Sequence, residues 1–175
     1  DPLPSTGIIY LQNGGTLSSV TNEGLDGKIT VASAPGTDIT IAGRLQYKFK
    51  TDGSATGDDL LGVYSGKDIK IACAITVGTQ CDSIYIDGFL KANTTAASPN
   101  ARGTIYTTEW RTAAVNTPGG APGIFLFGAM ESYYRGTFGS IESLSGGNVV
   151  SGFKKVFTYD TRLEFEQPPY MLRDS

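Results

Sequence analysis

The chain has 175 residues, 23 of them glycine, with 18% charged residues and a net charge of −3. That length suits one domain with a real core, and the acidic balance disfavours general nucleic-acid binding, which needs a basic footprint. Histidine is absent, which excludes Ser-His-Asp and Cys-His mechanisms within the chain and removes the usual zinc ligand and pH switch.

Thr, Ser, Ile, Val, Tyr and Phe fill the segments between glycines, and no segment keeps a helical period, so an all-β domain is expected. No run is long and apolar enough to span a membrane. The chain opens at Asp1 and reads as a processed or excised piece of something larger, so a missing targeting signal says nothing of its location.

Residues 1–6 are a Pro-rich lead-in. Strands are expected at 7–11 and 16–20 around an Asn13-Gly-Gly turn, then at 28–32 and 38–41. Over 44–50, Leu45, Tyr47 and Phe49 alternate with Gln46, Lys48 and Lys50, giving one aromatic and one basic face. A polar loop at 51–59 precedes strands at 60–64 and 68–72. Further strands are expected at 83–92, 103–110, 123–130, 133–140 and 153–160. Residues 93–122 read as a loop-rich insertion. Pro168-Pro169 predicts an extended, polyproline-like tail over 160–175, serving as a C-terminal cap.

One phrase occurs twice. Ile29-Thr-Val-Ala-Ser33 followed by Thr37-Asp-Ile-Thr-Ile-Ala42 is echoed by Leu61-Gly-Val-Tyr-Ser65 and Lys67-Asp-Ile-Lys-Ile-Ala72. Aligning Asp38 with Asp68 gives a repeat of about 30 residues, the sign of stacked coils. Such a unit cannot bury its apolar side alone, but a stack can. A parallel β-solenoid with irregular loop insertions, formed by residues 1–175 as one domain, is the expected fold. A β-sandwich with Greek-key connections is the alternative, since the strand starts at Ile8, Ile29, Leu61, Ile84 and Ile124 are unevenly spaced.

The segments 60–71, 86–92, 126–139 and 153–170 occur in an order that resembles the domain of PilX-like type IV pilus accessory proteins and minor pilins. The matching motifs are Gly128 to Gly136, containing Tyr134-Arg135-Gly136; Phe157 to Leu163, containing Tyr159-Asp160-Thr161-Arg162; and Pro168-Pro169-Tyr170. The resemblance implies a right-handed parallel β-solenoid that is exported, mounted on a pilin-like stalk and exposed at the cell surface. It implies other pilus subunits as partners, with extracellular DNA or glycan as further candidates.

Cys73 and Cys81 flank a short loop and are either two buried thiols or, preferably, a local disulfide; the latter indicates an oxidising compartment. Arg44, Lys48, Lys50, Lys67 and Lys70 are the candidate basic stripe for DNA, with Tyr47 or Tyr64 for base stacking; the alternative is solvated strand faces. Tyr134, Arg135, Asp160 and Arg162 are expected to fasten the cap over the end of the stack, where a sheet edge needs cover. Asp52 to Asp59 lacks the ligand spacing of an EF-hand. Glu109, Glu131, Glu142 and Glu164 are the carboxylates available for a polysaccharide-cleaving pair, but nothing places two of them together. A non-enzymatic structural or display domain, without cofactor or metal, is therefore expected.

Overall fold

The computed structural model describes residues 6–18, 24–48, 50–51, 54–55, 57–73, 75–77, 80–93, 103–108, 122–141 and 149–171. In chain order the strands are β1 (Thr6–Leu11), β2 (Gly15–Leu17), β3 (Lys28–Ser33), β4 (Ile39–Ala42), β5 (Lys50–Thr51), β6 (Ser54–Ala55), β7 (Leu60–Ser65) and β8 (Ile69–Ala72). They continue as β9 (Ile75–Val77), β10 (Gln80–Cys81), β11 (Ile84–Ala92), β12 (Ile105–Thr107), β13 (Gly123–Ser132), β14 (Gly139–Ile141), β15 (Val149–Gly152) and β16 (Lys154–Thr158), followed by a 3-10 turn at Thr161–Glu164.

Two parallel sheets carry the fold, ordered β1-β3-β7-β11-β13-β16 and β12-β8-β4-β2. The repeated phrase stacks in phase. Ile29 pairs with Leu61 and Val31 with Val63, while Ile39 pairs with Ile69 and Ile41 with Ile71. The chain is an all-β, parallel, solenoid-like stack. This rules out the β-sandwich alternative, whose neighbours are antiparallel. Among the described residues, antiparallel pairing occurs in three short hairpins, β5-β6, β9-β10 and β14-β15.

A third side closes each coil. Leu25 bridges to Tyr47 and Leu45 to Ile86, and the Asp87 N–H donates to the Leu45 carbonyl at 2.7 Å. β11 and β13 span two sides, turning at Gly88 (φ 147°) and Gly128 (φ 149°). After the turn, Phe89 pairs with Gly62. Ile84 therefore matches Ile124 but not Leu61, which corrects the alignment of strand starts. Within 93–122, β12 falls at the strand expected over 103–110 and pairs with β8 in the second sheet, so that part of the span belongs to the stack and is not inserted loop.

The core is a set of aliphatic columns. Ile39, Ile69 and Ile105 form one, each at most 1% exposed. β-branched side chains suit the pleated inner surface, where each packs on its counterpart in the next coil. The corners are tied by side chains. The Asp68 N–H donates to the Asp38 carboxylate at 3.3 Å and the Thr104 N–H to the Asp68 carboxylate at 2.8 Å. The Gly66 N–H donates to the Ser33 hydroxyl, and the Ser65 hydroxyl to the Thr37 carbonyl. The repeated Ser and Asp thus satisfy backbone groups that a turning chain leaves unpaired.

Cys73 and Cys81 are joined by a disulfide, with Cα atoms 5.5 Å apart. Closing so short a loop stabilises the fold by about 2–3 kcal/mol in the chain-entropy treatment. Reduction is therefore expected to lower the urea midpoint modestly without unfolding the chain at 25 °C. The Cys73→Ser/Cys81→Ser variant should reproduce that midpoint with or without reductant.

The C-terminal segment lies elsewhere than expected. It does not lie over the end of the stack but crosses the outer flank of the first sheet. Thr30 Oγ1 donates to the Pro169 carbonyl, Lys28 pairs with Glu166 at 3.0 Å, and Pro168 and Met171 pack over Gly62. Its first part is the 3-10 turn rather than a polyproline helix, because the Asp160 carboxylate caps the turn by accepting from the Arg162 N–H at 3.1 Å. Thr30 and Ala32, on the outward side of β3, are buried for this reason.

Candidate interaction surface

The expected basic stripe is divided. Thr40 pairs with Lys70, and Lys70 and Lys67 both reach Asp38, at 2.6 and 3.8 Å. The hydrogen bond from Asp38 holds the Lys70 ammonium above its ordinary pKa. Lys48 pairs with Asp26 at 2.8 Å. Arg44 does not continue the strand of Thr40, which ends at Ala42; beyond Gly43 it lies over the Tyr85 ring at 4.9 Å, and Tyr85 in turn stacks on Phe125. Lys50 sits in β5, and its side chain falls outside the described residues. Each described side chain of the set thus has a carboxylate or a ring against it, so no open phosphate track forms here.

The four cap residues separate into two groups. Arg162 and Asp160 form a bolt for the flank segment. The guanidinium reaches both Asp160 oxygens, at 3.0 and 2.7 Å, and donates to the Gly57 carbonyl at 2.7 Å. It lies 5.1 Å over the Tyr47 ring. Asp160 is 1% exposed, so the guanidinium is what makes its ionised form tolerable there. Arg135 and Tyr134 are not part of this bolt. Both are exposed, and Tyr134 bridges to Thr104 at the far end of the stack.

Tyr47 is buried beside the bolt, where the Leu61 N–H donates to its hydroxyl. Burial raises its phenol far above the ordinary value of 10.0. A raised folded-state pKa contributes stability that is complete below the unfolded pKa and is lost as pH rises through the folded one. Tyr47 and Lys70 act in the same direction. Urea midpoints are expected to fall steadily above about pH 10, with a shallower fall in Tyr47→Phe. An alkaline limb unchanged by Tyr47→Phe would contradict this assignment.

At the C-terminal end, β16 is the last strand of the large sheet and pairs with β13 on one side. Lys155 lies at the register of Ile124 and Phe157 at that of Leu126, both inward positions. With no further coil above them among the described residues, Lys155 and Phe157 cover the end of the core instead. The Lys155 ammonium sits 4.4 Å over the Phe138 ring and 6.0 Å from that of Phe157. Burial and the charge of Arg135 hold it below the ordinary lysine value. Tyr159 continues the alternation, and Tyr133 packs edge-on against Tyr134 at 5.0 Å. Tyr133, Tyr134, Phe157 and Tyr159 are 47–70% exposed.

Charge pairing sets this end apart. Lys28, Lys48, Lys67, Lys70, Lys91 and Arg162 each have a carboxylate partner. Arg135, Lys154 and Lys155 have none among the described residues. The surface is thus cationic, aromatic and edged by a strand. Sequence reasoning singled out Arg135 but missed Lys154 and Lys155. The signal was present, because Lys155, Phe157 and Tyr159 alternate in the last strand.

A half-open groove of about 230 Å³ lies along the flank segment, lined by residues including Ile8, Tyr64, Lys91, Asn93 and Tyr170. Its polar groups are engaged with one another: Lys91 pairs with Glu131 at 3.1 Å, and the Asn93 amide donates to the Tyr64 hydroxyl. Among the glutamates, Glu131 is thus committed to Lys91, Glu164 lies in the 3-10 turn, and Glu109 and Glu142 fall outside the described residues. Of the 52–59 loop, Asp59 is buried and accepts from the Gly27 N–H at 2.8 Å. No family model, curated protein or solved structure matches this chain.

Proposed function

We infer that this chain is a non-enzymatic display domain of an exported, type IV pilus-associated protein, and that it contacts other pilus subunits through the C-terminal end of its stack. The observation that carries the reading is that end itself. Arg135, Lys154 and Lys155, without a carboxylate among the described residues, and four exposed aromatic rings occur at the end of a stack whose other described cations are almost all neutralised. Clustered exposed aromatics beside charge are the ordinary composition of an interaction surface. The order of the sequence motifs supports the pilus assignment, and the disulfide supports an oxidising, extracytoplasmic location.

A second reading is favoured by the same rings. Aromatics flanked by cations can stack the bases of single-stranded DNA, so a competence-type receptor would use Arg135, Lys155 and Tyr159 rather than Lys48 and Lys70. The chain's net charge of −3 opposes it.

The test is a photocrosslinker, p-benzoylphenylalanine, placed at Tyr159 in producing cells. A crosslink to a filament subunit, identified by mass spectrometry in sheared pili, is the expected result. Recovery of the protein solely from the cytoplasm, with Cys73 and Cys81 reduced, overturns the reading.

A further inference from the structure

Resting on the docking reading above, we propose that the C-terminal end takes up an extended, acidic strand of its partner, which adds to the open edge of β16. In a parallel pair, alternate residues of a strand direct their N–H and C=O groups to one neighbour and the rest to the other side. Lys154 directs its N–H to the Pro122 carbonyl, at 2.9 Å, on the β13 side. Lys155 and Phe157 therefore direct theirs to the unpaired side, where no described residue receives them. An open row of this kind is a template for an added strand.

The side chains define what the strand must carry. Phe157 lies 6.4 Å from Phe138 and ends the inward column that runs through Leu126, so an apolar side chain on the incoming strand would continue the core. Lys155 and Arg135 lie beside that column without a carboxylate, and Lys154 projects on the outer side. An incoming strand that alternates apolar and acidic residues satisfies the backbone row, the apolar column and the cations together. A basic strand would crowd three like charges, and the chain's own first strand, β1, which carries no charged residue, would leave the cations without a countercharge. A nucleic acid would use the rings and cations but cannot pair with the backbone row. The acidic strand is therefore the occupant that uses every feature.

The probe is a fluorescein-labelled octapeptide of alternating Glu and Val, read by anisotropy, alongside its Lys–Val counterpart and a dT15 oligonucleotide. The Glu–Val peptide is expected to bind and the Lys–Val peptide to fail. Combined Arg135→Ala and Lys155→Ala should weaken binding about tenfold. Lys155→Pro, which removes the edge N–H as well as the charge, should weaken it further than Lys155→Ala; edge strands tolerate proline. On the unaltered chain, hydrogen exchange at the Lys155 and Phe157 amides should slow when the Glu–Val peptide is present. Unchanged exchange at those amides overturns strand addition whether or not the proline variant folds. Binding of dT15 in preference to the peptide, lost in the same alanine variants, overturns it in favour of nucleic acid. A Tyr159 crosslink to a filament subunit without peptide binding overturns this proposal alone and leaves the docking reading standing.

Discussion

Replacing Gly128 with alanine is expected to destabilise the stack by about 3 kcal/mol or more, through backbone strain and overpacking combined. Gly128 has φ 149° and marks the bend where β13 passes from one side of the coil to the next. A β-carbon there would run into the carbonyl oxygen of Gly88, the bend of the preceding coil. At Gly88 itself the added atom would lie 2.7 Å from the Leu61 carbonyl oxygen. The obstruction is backbone in both cases, so no rotamer change relieves it. Gly36, which also has positive φ but open space around it, is the control. Gly36→Ala should show the conformational cost without the clash. Urea unfolding of the two variants measures the difference. Equal losses would mean that the two backbones do not need to approach at the bend.

Arg162→Ala is expected to cost about 3 kcal/mol, because it leaves the buried Asp160 carboxylate without its countercharge. For a chain of this size that corresponds to a fall in Tm of about 6–12 °C. It also removes the bond to Gly57 and the contact over Tyr47. The flank segment should loosen while the coils remain, so exchange should quicken at Thr30 and Ala32 and stay slow at Ile39 and Ile69. Asp160→Asn combined with Arg162→Ala should recover part of the loss. Asparagine carries no charge to strand and still caps the 3-10 turn. A double variant no more stable than Arg162→Ala would place the energy in the Tyr47 and Gly57 contacts instead. Asp38→Ala should cost about 1–2 kcal/mol, most of it from the Asp68 N–H left without its acceptor, because the half-exposed Lys67 and Lys70 pairs contribute little.

The two halves of the stack were unequally legible. Over 29–42 and 61–72 the same alternation, the same Ser and the same Asp recur, and the coils built from them stack in the register that the repeat predicts. Later coils lack that phrase. β13 runs through the Gly128 bend without a break in hydrophobicity, and in β11 Asp87 alone interrupts the run before Gly88, so each strand reads as one segment although it spans two sides of the coil. β12 falls at the strand expected over 103–110, but its place beside β8 was not legible, since three residues among small polar ones leave little periodicity. Arg162 and Asp160 were named among the cap residues, but not as a pair with each other. Grouping Tyr134 and Arg135 with them failed, because motif order in the chain does not set position along the stack.

The sequence alone established an all-β chain without histidine, and its repeated unit favoured a parallel stack over the sandwich that the uneven strand spacing left open. Those properties rest on composition and on local alternation, which every strand carries within itself. Only the tertiary structure decided which of the described cations have carboxylate partners, where the C-terminal segment lies, and that β16 has no second strand beside it among the described residues. Each of these depends on contacts between distant segments: Lys28 meets Glu166 across 138 positions and Arg162 meets Gly57 across 105. Loops of unequal length separate the coils, so strand alternation can say which way a side chain points but not which distant side chain it meets.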